Sequence, residues 1–544
     1  MPLFYPSPRA RGPVSAAVAA GLALALTGCV APGSAAPEGT RLVLADGAEL
    51  GEFNPVSGYG STGVSPLYEG LLRPDAPDDS SLPELVPALA AAEPEVSDDG
   101  LAWTVRLREG VRFHDGSAFD SADVAATYAA VTDPRSGSPI ASDYETIERV
   151  GTPDPFTVTF TLAAPDPGFP ARLLLGIAPS ELLAPGPAAA SPLNTAPVGT
   201  GPYRLESLSA GEAVLVADPA YRDGPADVET LVLRSVPDEN ARAQMVLTGE
   251  VDGTVLPPRL AAGLADREGV ELVSVATADW RGVSLPAAHP FTGDPEVRLA
   301  LDTALDRDAL VEHVLGGHGE PATSPVTPAY PEFESTRPAG GGTPVENLEA
   351  AAARLEAAGW RPDPDGVLRR GADRAELELA YPAADSLRRE LASAVADQLS
   401  GLGVAVEIRG GTWDEIEPRA ADVAILLGGG DNPYTVDTQA YRALHSRSER
   451  TAPLDNPGGY ANPDVDRALD AARAATDPAD RTERYREAQR AFALDPGYLF
   501  LATLEHTYLV RDTGASGPAP ILEPHTHGVT WGPWWSLHRW ESTP

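Results

Sequence analysis

The chain is poor in sulfur and has no lysine at all. Of its 544 residues one is cysteine, Cys29, and two are methionine. A lone cysteine forms no disulfide within the chain, so a large apolar core has to hold the body together. Every one of the 40 basic residues is Arg. Without lysine there is no P-loop, no Schiff-base amine and no kinase-type lysine. Neither an HExxH metalloprotease motif nor a GxSxG nucleophile elbow occurs, so no hydrolase motif is present. Positive charge is scarce as well: 79 acidic against 40 basic residues leave a formal charge of −39 at pH 7. Phosphodiesters and anionic headgroups are repelled by such a surface, which argues against nucleic acid as a partner.

The position of the one thiol is informative. Arg9 and Arg11 precede an Ala/Leu-rich stretch, Val14 to Leu26. At about 13 residues it falls short of the ~20 an α-helix needs to cross a bilayer core, and it reads as the apolar part of an export signal. Leu26-Thr27-Gly28-Cys29 resembles the bacterial lipobox. Residues 1–28 are therefore expected to be a lipoprotein signal peptide, Cys29 the acylated residue, and 29–39 a tether rich in Pro, Gly, Ser and Ala. Two acyl chains at ~0.8 kcal/mol per buried methylene anchor stably where one chain does not. The expected location is the outer face of the bacterial cytoplasmic membrane.

Elements follow from hydrophobic period. "RLVLADG" (Arg41 to Gly47) and "FTVTFTL" (Phe156 to Leu162) read as strands, and "LAWTVRLREGVRF" alternates Trp103, Val105 and Leu107 against Thr104, Arg106 and Arg108. "ADVAILL" (Ala421 to Leu427) is a continuous apolar run, the mark of a buried strand. Helices start repeatedly on a capping residue followed by proline: Asp294-Pro295, Thr343-Pro344, Asn462-Pro463 and Asp477-Pro478. Leu387 to Gly403 is a further helix leading into the strand "VAVEIRG". Helix–strand alternation from about residue 283 to 500 indicates an α/β lobe, after a first part richer in strands and turns. His114-Asp115-Gly116 reads as a turn, and Asp120 or Ser121 as the cap of a helix burying Val124 and Tyr128. The paired glycines of "VGTGPY" read as a turn feeding a strand at Tyr203.

Several stretches together carry a resemblance. They are "YEGLLRP", "SDDGLAWTVRLREGVRFHDGSAFDSADV", "PVGTGPYRL", "DPEVRLALDTALDRDALVEHVLGGHG", "ARLEAAGW" and "GGYANPDVDRALDAARAATDPADRTERYREAQ". In this order and spacing the chain resembles the family 5 extracytoplasmic solute-binding proteins, which bind peptides or nickel for ABC importers. The resemblance implies an α/β fold, the type II periplasmic-binding-protein architecture of two lobes, with an extra subdomain on lobe I. Lobe I is expected over residues 40–282, with the subdomain at about 62–195, and lobe II over 283–500. Residues 501–544 return to lobe I and end in an aromatic segment. The crossings between lobes are expected near Trp280 to Leu285 and Tyr498 to Leu504. The implied function is capture of a small, peptide-like or related solute between the lobes and its delivery to an ABC permease, by a monomer with no enzyme activity and no cofactor. A nickel- or metal-chelate-binding member of the same family is the alternative, ahead of a surface sensor or hydrolase.

Two loops are candidate cleft linings. The resemblance implies that "NPVSGYGSTG" (Asn54 to Gly63) corresponds to a loop that approaches ligand in the peptide binders, where the reaching groups would be Tyr59 and Ser61. In "LLGGGDNPYTVD" (Leu426 to Asp437), at the end of a buried strand, they would be Asp431, Asn432 and Tyr434. The peptide-binding pattern is broken here: the Asp that pairs with a peptide α-ammonium falls on Gly429, and no Trp precedes it. The Arg-rich stretch that precedes "IAP" in nickel-type members is also missing, Arg172 being the nearest arginine. In the C-terminal "EPHTHGVTWGPWWSLHRW", His525 and His527 are weak metal candidates, two histidines by themselves being a weak metal signal. An aromatic terminus packed on lobe I is the plainer reading.

Overall fold

The computed structural model describes residues 40–335, 341–430, 432, 434–448, 451, 453–525 and 528–542. Eleven strands join in one mixed sheet. In chain order they are β1 (Arg41–Asp46), β2 (Tyr203–Leu208), β3 (Glu212–Ala217), β4 (Thr230–Ser235), β5 (Gly253–Leu256), β6 (Glu271–Ser284), β7 (Gly319–Pro321), β8 (Glu376–Pro382), β9 (Ala405–Gly411), β10 (Ala424–Gly429) and β11 (Tyr498–Val510). Across the sheet they run β9-β8-β10-β6-β11-β5-β1-β4-β3-β2, with β7 on β11 outside that path. β1 lies parallel to β4 and β5, and β8 parallel to β9 and β10. Parallel neighbours need crossover connections, so each patch carries its own helices. Between the patches runs the long antiparallel pair β6–β11. The fold is two α/β lobes sharing one sheet, the type II periplasmic-binding-protein architecture.

Side chains along β6 change company where the lobes meet. Val275 packs with Leu42, Leu44 and Leu215 in the first lobe. Trp280 packs with Ile425, Tyr460 and Phe500 in the second, and Val283 with Leu301 and Leu379. Between these positions the β6–β11 register slips, once between Ala276 and Trp280 and again between Arg281 and Gly282. A slip leaves ladder groups to be satisfied by other partners. Ala278 N–H donates to the carbonyl of Glu523 (2.8 Å), and Glu523 N–H to that of Ala276 (3.0 Å). The C-terminal segment thus repairs the gap in the ladder.

A separate four-stranded sheet holds Glu95–Val96, Ala102–Arg106, Thr157–Leu162 and Ile147–Asp154 in that spatial order. Helix Ser121–Thr132 covers it, burying Val124, Tyr128 and Val131 with Phe160 and Phe169. Asp120 caps that helix in a reciprocal box with Asp123. The proline-started helices occur as expected, over Pro295–Ala304, Pro344–Ala357, Pro463–Ala474 and Pro478–Leu494, each with its side-chain cap. The strand expected from Ala421 begins only at Ala424, because Asp422 and Val423 N–H close a turn on the Arg419 carbonyl. His114 is structural: Nε2 meets the Gly201 carbonyl at 2.9 Å and Nδ1 accepts from Gly199 N–H at 3.3 Å.

Candidate functional site: a polar cleft between the lobes

Two adjoining cavities lie where segment 142–172 of the first lobe faces residues 330–485 of the second. Both have Asp437 and Arg473 in their walls. The outer one, about 210 Å³, is bounded by Arg172, Asp143, Tyr441, Arg442 and His445. The inner one, about 140 Å³, is bounded by Asp166, Tyr330, Glu332, Tyr434 and Tyr485.

Local structure aims these groups. Arg172 sits in the short helical turn Phe169–Leu174, whose backbone is fixed by the Tyr128 hydroxyl donating to the Arg172 carbonyl at 2.7 Å. Arg172 is buried, 5% exposed, and its Nε and Nη1 have no hydrogen-bond partner among the described residues. An unsatisfied buried donor costs about 1–3 kcal/mol, more when charged. Across the cleft Thr435 caps helix Val436–Leu444, which carries Asp437 and Tyr441. Arg473 grips Asp437 at two points (2.6 and 2.9 Å) while its guanidinium lies over the Tyr441 ring. His445 stacks on the same ring, with centroids 4.3 Å apart. Burial raises the Asp166 carboxyl above its usual range, against the pull of Arg172. The lobes touch closely: a Cβ on Gly168 would stand 2.9 Å from the Thr435 hydroxyl, and Arg442 pairs with Asp143 at 3.5 Å.

The residues singled out in the sequence scatter around this cleft. Tyr434 lines the inner cavity and packs against the first-lobe cluster of Val56 and Phe169. Asn432 shapes the loop, its carbonyl accepting from the Thr438 hydroxyl (2.7 Å) and its side chain from Tyr434 N–H (3.3 Å). The Tyr59 ring is packed edge-on between Phe53 and Tyr68, inside the first lobe. Ser61 is half-buried in a turn closed on the Gly58 carbonyl. Neither Tyr59 nor Ser61 lines either cavity. Cys29, Asp431 and His527 lie outside the described residues. Sequence reasoning missed Glu332, Tyr330, Tyr441, His445 and Arg473, which come from three separate places, the loop after β7, helix Val436–Leu444 with its C-cap, and helix Pro463–Ala474, with no shared motif. Arg172 was in view only as the nearest arginine to a missing pattern.

His525 belongs to a buried network at the crossing strands. Its Nδ1 meets Asp279 at 2.6 Å and Arg281 at 3.2 Å. His506 bridges Asp279 (3.0 Å) and Glu523 (2.7 Å), and the Tyr508 hydroxyl donates to Glu523 (2.7 Å). Arg281 pairs with Asp279 in the same place. Among the described residues no group of three or more His, Cys, Asp or Glu is arranged to hold a metal ion.

Comparison with known proteins fixes the family. The model for bacterial extracellular solute-binding proteins, family 5, matches residues 84–450. The chain belongs to that family. The binding protein is 38% identical to Protein XP55 of Streptomyces lividans over 508 residues, 92% of this chain and 91% of the relative. It is 30% identical to the glutathione-binding protein GsiB of Salmonella paratyphi A over 410 residues, 72% and 76% of the two chains. Its fold matches that of NikZ from Campylobacter jejuni in complex with Ni(L-His), at TM-score 0.80 and 24% identity over 92% of this chain and 99% of that one. The oligopeptide-binding protein AppA from Bacillus subtilis, in complex with a nonapeptide, matches at TM-score 0.76 and 21% identity, covering 93% and 99%. As a family member the binding protein is non-catalytic and extracytoplasmic. It captures a small solute for an ABC importer.

Proposed function

We propose that the binding protein is lipid-anchored through Cys29 and that Arg172 takes a carboxylate of the solute as the lobes close. The observation that carries this reading is the buried guanidinium with two unpaired N–H groups at a cleft wall. A charge taken out of water needs a partner, and a carboxylate supplies two parallel acceptors in the geometry a guanidinium offers. A small peptide such as glutathione, named for a relative, has such groups. The lobes would hinge where β6 changes company, at 276–282, and at the facing part of β11. Titration calorimetry with glutathione tests the reading: Arg172→Gln should weaken binding at least tenfold, and unchanged affinity would reject the role. Cys29→Ser should release the protein from membranes into the medium; retention would reject the anchor.

A second reading is favoured by His445, whose imidazole borders the outer cavity. A nickel chelate would find a nitrogen ligand there. Nickel with L-histidine should then bind the wild type and lose affinity in His445→Ala.

A further inference from the structure

We infer that the inner cavity is an ammonium subsite, so that the solute is a zwitterion whose cationic amine is held by Glu332 and whose carboxylate is held by Arg172. The inference rests on the capture reading above and adds the second charge of the solute.

Glu332 is the starting point. It is 9% exposed, and its Oε2 is shut off from solvent with no hydrogen bond. Its side chain makes no hydrogen bond or ion pair among the described residues. Its backbone is tied down, since Gln489 Nε2 donates to the Glu332 carbonyl at 2.7 Å. The carboxylate is therefore held in place while its own partner is missing. An uncompensated buried charge is costly, and an ammonium of the solute would supply the missing partner.

The surroundings select a cation. Asp166 brings a second carboxylate from the opposite lobe; among the described residues it accepts only from Gly168 N–H (2.9 Å). Arg473 is committed to Asp437, and Arg481, half-buried, makes no ion pair among the described residues. Carboxylates thus outnumber guanidiniums around the cavity. Tyr330, Tyr434 and Tyr485 also line the cavity. Aromatic faces attract an ammonium, and the buried Tyr434 hydroxyl has no hydrogen-bond partner. At about 140 Å³ the space suits a terminal amine and its first carbons rather than a whole ligand. The outer cavity, sharing Asp437 and Arg473, takes the rest.

The test is calorimetry with five probes: glutathione, trialanine, N-acetyl-trialanine, trialanine amide and nickel with L-histidine. For the wild type, acetylating the amine of trialanine should cost at least tenfold in affinity, and amidating its carboxyl a similar factor. Glu332→Gln, nearly the same in shape, should erase the first difference and keep the second; Arg172→Gln should do the reverse. Indifference of the wild type to acetylation, or full discrimination by Glu332→Gln, overturns the subsite alone. Binding of nickel–histidine only, where the amines are spent on the metal, overturns the subsite and leaves capture standing. Binding of none of the five rejects both. Circular dichroism of each variant, and retention by each of affinity for the probe it should still accept, separate lost recognition from misfolding.

Discussion

At the scale of single residues, the network at the crossing strands sets a pH dependence. Burial alone would raise the Asp279 carboxyl, but Arg281, His525 and a hydrogen bond from His506 outweigh it and hold Asp279 well below the usual range. Burial would lower His506, and hydrogen bonds to Asp279 and Glu523 outweigh that, leaving it raised. Burial raises Glu523. A raised folded value means the native state holds its proton longer than the unfolded chain. Stability from His506 is therefore complete below its ordinary value near 6.5 and is lost as pH rises through the raised value, with Glu523 acting in the same direction. Stability from Asp279 is lost only in strong acid. Denaturation should show the wild type less stable at pH 9 than at pH 6.5. Asp279→Asn should lose about 3–5 kcal/mol at pH 6.5, the cost of breaking a buried ion pair, and show a shallower alkaline decline. An equally steep decline in Asp279→Asn would exclude this origin. None of the network was legible in the sequence. Asp279 and Arg281 lie in an apolar strand, His506 in another, and Glu523 before a His pair that suggested metal. Only the fold brings them together, and Gly428 gives them room, since a Cβ there would stand 2.6 Å from Arg281 Nη1 and 2.8 Å from His525.

At the scale of elements, much more was legible. Cap-plus-proline starts mark helices because the cap oxygen satisfies an orphan N–H and proline lacks one to satisfy. Thr343 shows this, its hydroxyl meeting Glu346 N–H and Glu346 answering at the Thr343 N–H. Alternation and continuous apolar runs located the strands. What the sequence did not disclose is the irregularity of β6, because a register slip depends on the partner strand and not on local composition. Thr277 holds that slip: its hydroxyl donates to the Leu504 carbonyl (2.6 Å) and accepts from Asp279 N–H (2.8 Å). Thr277→Val keeps the shape and removes both bonds, at about 1–3 kcal/mol for each buried group left unpaired. Amide exchange should quicken at least tenfold over 276–280 and stay unchanged in β1, as expected if crossing strand and lobe open separately. Equal quickening in β1 would mean that the crossing is not a distinct unit.

At the scale of the whole molecule, the proposed closure would be a balance between contacts the lobes make with each other and contacts they make with solute. Some lobe-to-lobe contacts need no ligand. The first-lobe loop carrying Asp79 and Leu82 reaches the crossing, where Ala276 N–H donates to Asp79 at 2.8 Å, and Leu82 packs on the second-lobe core cluster. Ser386 donates to Glu239 at 2.9 Å across the lobes. A ligand shifts the balance only by its preference for the closed form, and its apparent affinity falls with the fraction of protein already competent to bind. Leu82 touches neither cavity, so Leu82→Ser acts on the balance alone. Removing its apolar burial, roughly 1.5–3 kcal/mol for a fully buried leucine and less for this partly buried one, should populate the open form. Without solute, small-angle scattering should give a larger radius of gyration than the wild type; at saturating solute the two should coincide. Affinity should drop several-fold with the order of preference among solutes unchanged. An unliganded radius equal to the wild type's would show that this contact does not hold the lobes together, and a changed order of preference would place Leu82 in recognition instead.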